Sequence, residues 1–407
     1  MSAETSAPST SLRDRLQSIR SRCLLVGGIA ALLSPVGAFV APTQFYRSWV
    51  MAFLIVLAMP LGSLGLTMLH HMTGGAWGIA IRRLTEAGIR TLPLIAVFFL
   101  PVLAGLFWGD LYPWADPRVV EHDPLLLHKQ PYLNPTFFVV RAVGFFALWI
   151  GFGFLLLRLA QKHDRTGEAK YLDRMRAVSG PGLAMYGVTM TFASFDWGMS
   201  LEPHWFSTIY GMMFVVGQVL TTLCFAILVS AWLARREPFS RFLGVDVFHD
   251  LGSLLFAFVM LWAYAELSQF LIIWSGNLAE ETPWYLRRTA EGWKGIVLIL
   301  MALHFFVPFA LLMSRKVKRR VRLLAWVAGV VLAMRVVDIY WMIMPAFHEH
   351  LTLHWLDLTV TTALVTLWFA YYVSRLQGRP LVSLHDASLQ ALFDVQDGER
   401  GTEVATH

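Results

Sequence analysis

In the stretch FASFDWGMSLEPHWFSTIYG, residues 192–211, three ionisable side chains fall within nine positions of otherwise apolar sequence: Asp196, Glu202 and His204. Carboxylates and imidazoles are the groups that most often accept and return protons in enzymes. A carboxylate beside hydrocarbon is costly unless it is paired or hydrated, so its presence points to a partner or to a task. Further such groups follow. Glu266, in LWAYAELSQFLIIW, has no basic residue three or four positions away and needs a partner from another helix, a water chain or a proton. Arg335 and Asp338, in MRVVDIYW, stand three apart on one helical face, as a brace or as a relay station. Arg141 and His304 each interrupt an apolar run. His70 and His71, and then His249 and Asp250, stand at the ends of such runs, where they either cap helices or admit a proton.

The elements that must position these groups are helices in lipid. The chain has 407 residues, 57% of them hydrophobic and only 15% charged, against about 25% charged in an ordinary soluble domain. Stretches of roughly 20 apolar residues, enough to cross a bilayer as helix, recur ten times. They are predicted near 23–41, 49–69, 91–110, 136–157, 181–197, 208–233, 247–274, 294–313, 323–344 and 355–374. With the N-terminus cytoplasmic, 25 of the 33 Lys and Arg residues fall in the inner segments and 6 in the outer loops, leaving Arg141 and Arg335 within helices. That alternation predicts a multi-pass protein with both termini inside. The segment 1–22 is then cytoplasmic, 23–374 is one ten-helix membrane domain, and 375–407 is a polar cytoplasmic tail. The first apolar run lacks the flanks of a cleaved leader and is expected to stay as helix.

The same distribution excludes nucleic acid as a partner in spite of a net charge of +6, because the basic run RKVKRRVR at 315–322 is explained as a topology anchor. Cys23 and Cys224 sit in apolar runs and cannot make an iron–sulfur site, and no CxxCH, Walker loop or GxGxxG occurs. His348, His350 and His354, in HEHLTLHW, lack the HExxH spacing, so no metal site is expected. Electrons would therefore have to come from a redox centre in another subunit. The loop 111–135, rich in Pro, Trp and His, reads as an ordered lid or docking surface.

On this topology Asp196, Glu202, His204, Arg141, Glu266, His304, Arg335 and Asp338 all lie between the membrane centre and its outer face. The carboxylates of the fifth, seventh and ninth helices are expected to share one polar interior. Three functions fit: contact with a quinol, whose oxidation needs proton acceptors such as Asp196, His204 or Glu266; a proton relay through Glu266, Asp338 and His304, linked by water to His249 and Asp250; and an independent transporter.

Three motifs carry a resemblance to a known family: LHHMTGGAWG at 69–78, FASFDWGMSLEPHWFSTIYGMMF at 192–214, and AYAELSQFLIIWSGNLAEETPWYLRR at 263–288. The chain resembles, over nearly its whole length, the polytopic membrane subunits of the NrfD and polysulfide-reductase anchor type. It looks most like the shorter of the two such subunits in alternative complex III, a bacterial quinol:cytochrome c oxidoreductase. The resemblance implies an all-α fold of ten transmembrane helices, with two to five and six to nine as two four-helix bundles and one and ten outside. It implies the bacterial cytoplasmic membrane and several partners: a longer NrfD-like subunit, a periplasmic iron–sulfur subunit, multihaem cytochrome c subunits and small membrane subunits. No group would be bound covalently; the quinol is menaquinol or ubiquinol, and iron–sulfur clusters and haem c belong to the partners. The positions matching its motifs are Asp196, Glu202, His204, Glu266, Gln269 and Asn277, with Arg141 added to a quinone-side rim. Because the family's quinol site is assigned to the longer subunit, quinone contact and a proton-relay or structural role both stay open here.

Overall fold

The computed structural model describes residues 10–108, 111–236, 239–241, 243–290 and 292–378. The first nine residues and most of the predicted cytoplasmic tail, 379–407, lie outside them. Ten long helical elements dominate: α1 (Thr10–Val40), α2 (Pro42–Thr73), α3 (Ala76–Trp108), α4 (Pro135–Thr166), α5 (Ala169–Trp197), α6 (Tyr210–Leu233), α7 (Val245–Gly276), α8 (Trp293–Met313), α9 (Val321–Ile343) and α10 (Trp355–Gln377). The described residues contain no strand, and nine of these elements are long and apolar enough to cross a membrane. The molecule is thus a multi-pass helical membrane protein.

The element missing from the nine is α5, which was predicted as the fifth of ten crossings. It is long enough at 29 residues. Its composition falls short because its first turns carry Lys170, Asp173, Arg174 and Arg176, and its later turns carry Thr189, Ser194 and Asp196. Those later groups face protein: Thr189, Ser194 and Asp196 are buried. Several helices also start or end beyond the predicted apolar stretches. The first begins at Thr10, well before residue 23, and the third begins at Ala76 rather than near 91. The third is broken at Arg90–Thr91 and again at Phe99. Pro93 and Pro101 lack the amide donors that would carry an unbroken helix through those turns.

Local chemistry fixes the ends. Asn134 accepts from the Phe137 amide at 2.8 Å, with Pro135 in the first turn, and so starts α4. His354 accepts from the Leu356 amide while Asp357 reaches back to the His354 amide, starting α10. Asn277 takes the left-handed conformation, φ 46°, that closes α7, with its amide donating to the Ile273 carbonyl. The motif residue Asn277 therefore has a structural duty.

Helix α2 is central and buried along nearly its whole length, with α3, α5, α6 and α10 packed around it. Helix α6 also touches α5, α7 and α9, and α8 leans on α7 and α9. Helix α1 lies antiparallel along α10, where Gly37 meets Leu356 and Gly27 meets Leu367. At the far end of that pair, Gln377 donates to the Arg13 carbonyl at 3.4 Å, so the first and last described helical ends share one face of the molecule.

Candidate functional site

The first constellation lies among α6, α7, α8 and α9. Trp262 and Glu266 are four apart on α7 and so share a face. Trp262 donates its indole N–H to Asp338 Oδ2 at 3.2 Å, and its ring lies 3.9 Å from that of His304, centre to centre. Arg335 pairs with Asp338 and donates to Thr221 Oγ1 at 3.4 Å. Gly217 on α6 makes room for that arginine: a Cβ there would stand 2.0 Å from a guanidinium nitrogen. Glu266 lies within electrostatic reach of both Asp338 and Arg335. Asp338, His304 and Arg335 are buried.

His304 occupies a wide π-helical turn, Leu300–Phe306, in the middle of α8. Pro308 follows four residues later and would clash with the His304 carbonyl in regular α-helix, so the wider turn relieves it. The interior is incompletely paired. Glu266 Oε1, Asp338 Oδ1, both ring nitrogens of His304 and Gln269 Nε2 are buried without a protein partner. Each such atom costs about 1–3 kcal/mol unless something else meets it, so water or a mobile proton is the natural complement. Gln269 uses its other amide atom to accept from Ser207 at 2.9 Å.

The second constellation is closed. Arg141 on α4 donates Nε to Asp196 Oδ2 at 2.7 Å and Nη2 to Oδ1 at 2.9 Å, a two-pronged pair. Its third nitrogen donates to the Tyr132 carbonyl at 2.8 Å, and its plane lies over the rings of Tyr132 and Phe137. The expectation that Asp196 would share its polar partners with Glu266 and Asp338 is not met: Asp196 pairs with Arg141, whereas Asp338 pairs with Arg335 and Trp262. The packing of α4 against α5 gives Asp196 its own cation first. Asp196 and Arg141 are also absent from the cavity wall described next, so neither forms a rim.

That cavity, about 940 Å³, opens over the turn 199–206. Trp205, Phe206 and Trp284 supply aromatic wall; Glu202, His204 and Lys129 supply polar wall. Trp205 and Trp284 stack at 4.6 Å. His204, 64% exposed, meets Asp123 at 2.7 Å, and Lys129 donates to the Pro203 carbonyl at 2.6 Å. The loop 111–135 therefore packs against the turn through two short helices, Pro117–Glu121 and Pro124–Lys129. Burial pushes the Asp123 carboxyl upward, but the Leu126 and Leu125 amides and His204 outweigh it and hold it below the usual aspartate range. Burial lowers Lys129, with Asp123 and Glu280 opposing. Glu202, predicted as a rim residue, does line the cavity, but it is held by Arg287 at 2.8 Å and by Arg288 at 2.6 Å. Arg288 is itself fully buried, stacked 3.7 Å over Trp284 and donating to the Met342 carbonyl. Ser200 donates to the Asp196 carbonyl inside a 3₁₀ turn.

The histidines at the ends of α2 and α7 are not brought to either constellation. His71 meets Ser179 at 2.9 Å and His70 meets the Gly75 carbonyl at 3.1 Å. His249 and Asp250 open α7, about 25 Å along the helix from Glu266 at 1.5 Å per residue. His348 meets Gln44, and His354 caps α10. Among the described residues no three His, Cys, Asp or Glu are grouped to hold a metal. Cys224 is buried and Cys23 half-buried.

No family model and no curated protein matches the chain.

Sequence reasoning missed three features. The Glu202 clamp had a signal, since Arg287 and Arg288 are adjacent arginines on the face where cations are sparse. The network of Glu86 with Arg82, Arg83 and Asp164, all at 2.8–3.0 Å, had one too, in the spacing of Arg82, Glu86 and Arg90. The contact of Trp262 with His304 and Asp338 joins three different helices and leaves no local trace.

Proposed function

We propose that this chain is a proton-handling membrane subunit of a quinol-oxidising respiratory complex, and that Glu266, with Asp338 and His304, carries the protons. The observation that carries the reading is the set of unpartnered atoms on those three side chains, gathered beside one arginine. One cation serves two carboxyl groups, so the group reaches charge balance when one of them carries a proton. Taking up and giving back that proton needs no metal and no redox chemistry in this subunit. Electrons, in the reading that the resemblance supports, pass through iron–sulfur and haem c centres of partner subunits to a cytochrome c. Ten crossings, α5 included, fit the shared face of Arg13 and Gln377, because an even number of crossings returns the chain to its starting side. The grouping of α2–α5 and α6–α9 as two four-helix bundles is what the resemblance implies. The arginine-rich face is then cytoplasmic, and the cavity over 199–206 opens outward in the bacterial inner membrane.

The test uses membranes carrying the chain with its native partners. Quinol-driven cytochrome c reduction and acidification of the outer medium are followed for wild type and Glu266→Gln. We expect E266Q to slow coupled proton release by about 100-fold, the lower range for a lost proton-transfer group, with the chain still present at the normal level. Normal turnover with normal proton release would remove Glu266 from the mechanism.

A second reading rests on the cavity. Its volume suits a ring-bearing ligand, and its aromatic walls with a few convergent polar groups are the usual lining of such a site. His204, hydrogen-bonded to Asp123, is placed to accept a hydroxyl proton from a quinol there. A photoreactive quinone analogue should label the 199–206 turn and lose that labelling on adding excess quinol; labelling only of partner subunits sinks it.

A further inference from the structure

A second pocket, about 330 Å³, lies between α3, α4 and α10 at the opposite end of the helices from Asp196. Its position follows from α4: Arg141 meets Asp196, and Arg158, on the pocket wall, comes 17 residues later, or about 25 Å along the axis. Three arginines line it, Arg90, Arg158 and Arg375, together with Gln161 and Tyr371, and no acidic residue does. The rest of the wall is apolar, including Ile89, Leu92, Phe154 and Leu157.

The three cations are not equivalent. Arg90 shares Glu86, at 3.8 Å, with two other arginines that lie closer to it. Arg158 and Arg375 are exposed and make no ion pair among the described residues. Each is instead laid over an aromatic ring, Arg158 over Phe154 at 4.9 Å and Arg375 over Tyr371 at 4.4 Å. Stacking of that kind holds a guanidinium flat. The Arg158 N–H edge is left for an anion, whereas one Arg375 nitrogen donates to the Tyr371 hydroxyl and its other N–H groups face the pocket's anion. The pocket thus offers fixed, uncompensated donors above an apolar wall.

We propose that this pocket binds one anionic phospholipid, its phosphate between Arg158 and Arg375 with Arg90 behind. The volume admits a headgroup and leaves the acyl chains outside. The lipid-facing stripe of α4 gives them a track: Val143 and Phe154 are exposed, and a Cβ at Gly151 would meet nothing within 4 Å. A soluble anion would have no use for that wall. Basic recesses between membrane helices are suited to such headgroups. The site does not depend on the proton reading, since it shares no residue with it.

Purified, delipidated chain is offered equimolar phosphatidylglycerol and phosphatidylcholine, and bound lipid is read by native mass spectrometry. We expect one retained phosphatidylglycerol, preferred about tenfold or more, and loss of that preference in R158Q/R375Q. The exposed pair R315Q/R320Q should keep it. Equal retention of the two lipids by wild type overturns the proposal without any variant. So does equal loss in R315Q/R320Q, which would mean diffuse attraction to basic surface. Displacement of the lipid by millimolar inorganic phosphate would reassign the pocket to a soluble anion. A folded R158Q/R375Q that still prefers phosphatidylglycerol also refutes it.

Discussion

Asp196 and Asp338 both meet an arginine inside the helices, yet their surroundings differ. Asp196 has both oxygens taken by Arg141, whose remaining nitrogen donates to the Tyr132 carbonyl and whose guanidinium packs on the Tyr132 and Phe137 rings. Asp338 has one oxygen shared by Arg335 and Trp262 and the other unpartnered, beside an unpartnered Glu266 oxygen and a histidine with neither nitrogen bonded. The first arrangement is finished and can only hold helices together. The second has donor and acceptor capacity in reserve. The contrast teaches that depth and residue type do not separate the two arrangements; the count of unmet hydrogen bonds does.

The comparison can be broken most decisively at the closed pair. Asp196→Ala leaves Arg141 buried without its carboxylate and should cost about 3–5 kcal/mol, read as early thermal unfolding in detergent. The double variant R141M/D196L, which removes both charges, should recover most of that loss. If the double is as unstable as the single, Asp196 does more than brace. Arg335→Met should cost a similar amount by stranding Asp338, and should also abolish coupled proton release, which R141M/D196L should leave intact.

Glu202→Gln is expected to come next, at about 1.5–3 kcal/mol, because the hydrogen bonds from Arg287 and Arg288 lose their charge. Glu266→Gln should change the melting temperature least among these sites, since its buried Oε1 has no partner to lose. A large loss of stability there would merge the two classes.

The smallest effect concerns the pair of His204 and Asp123 at the cavity mouth. With the Asp123 carboxyl held below its ordinary range, its contribution is present above the usual aspartate pKa of about 4 and is lost as pH falls through the lower folded value. Wild type and D123N should therefore differ in melting temperature at pH 7 and converge only below about pH 4. A difference that persists unchanged well below pH 4 would take the Asp123 carboxylate out of it.

Much of the fold was legible because lipid imposes simple rules on composition and charge. Nine apolar helices and the alternating arginines could be read directly. The helix α5 was found as helix but not as an apolar one, since its polar groups are spent on its neighbours. The candidate site was legible only in part. Arg335 and Asp338 declare themselves by spacing on one helix, and Glu266 by its isolation. The pairing of Asp196 with Arg141 was not, because it depends on which faces of α4 and α5 turn toward each other. Likewise nothing local says that Trp262 stands between Asp338 and His304, or that Gly217 admits Arg335.

The burial of α2 has a consequence for how the molecule is made. That helix is apolar enough to rest alone in a bilayer, yet in the finished fold protein surrounds it. It leaves the ribosome before α5, α6 and α10, which sheathe it. Lipid must therefore serve as its temporary coat during insertion, and each later helix displaces acyl chains from its flank.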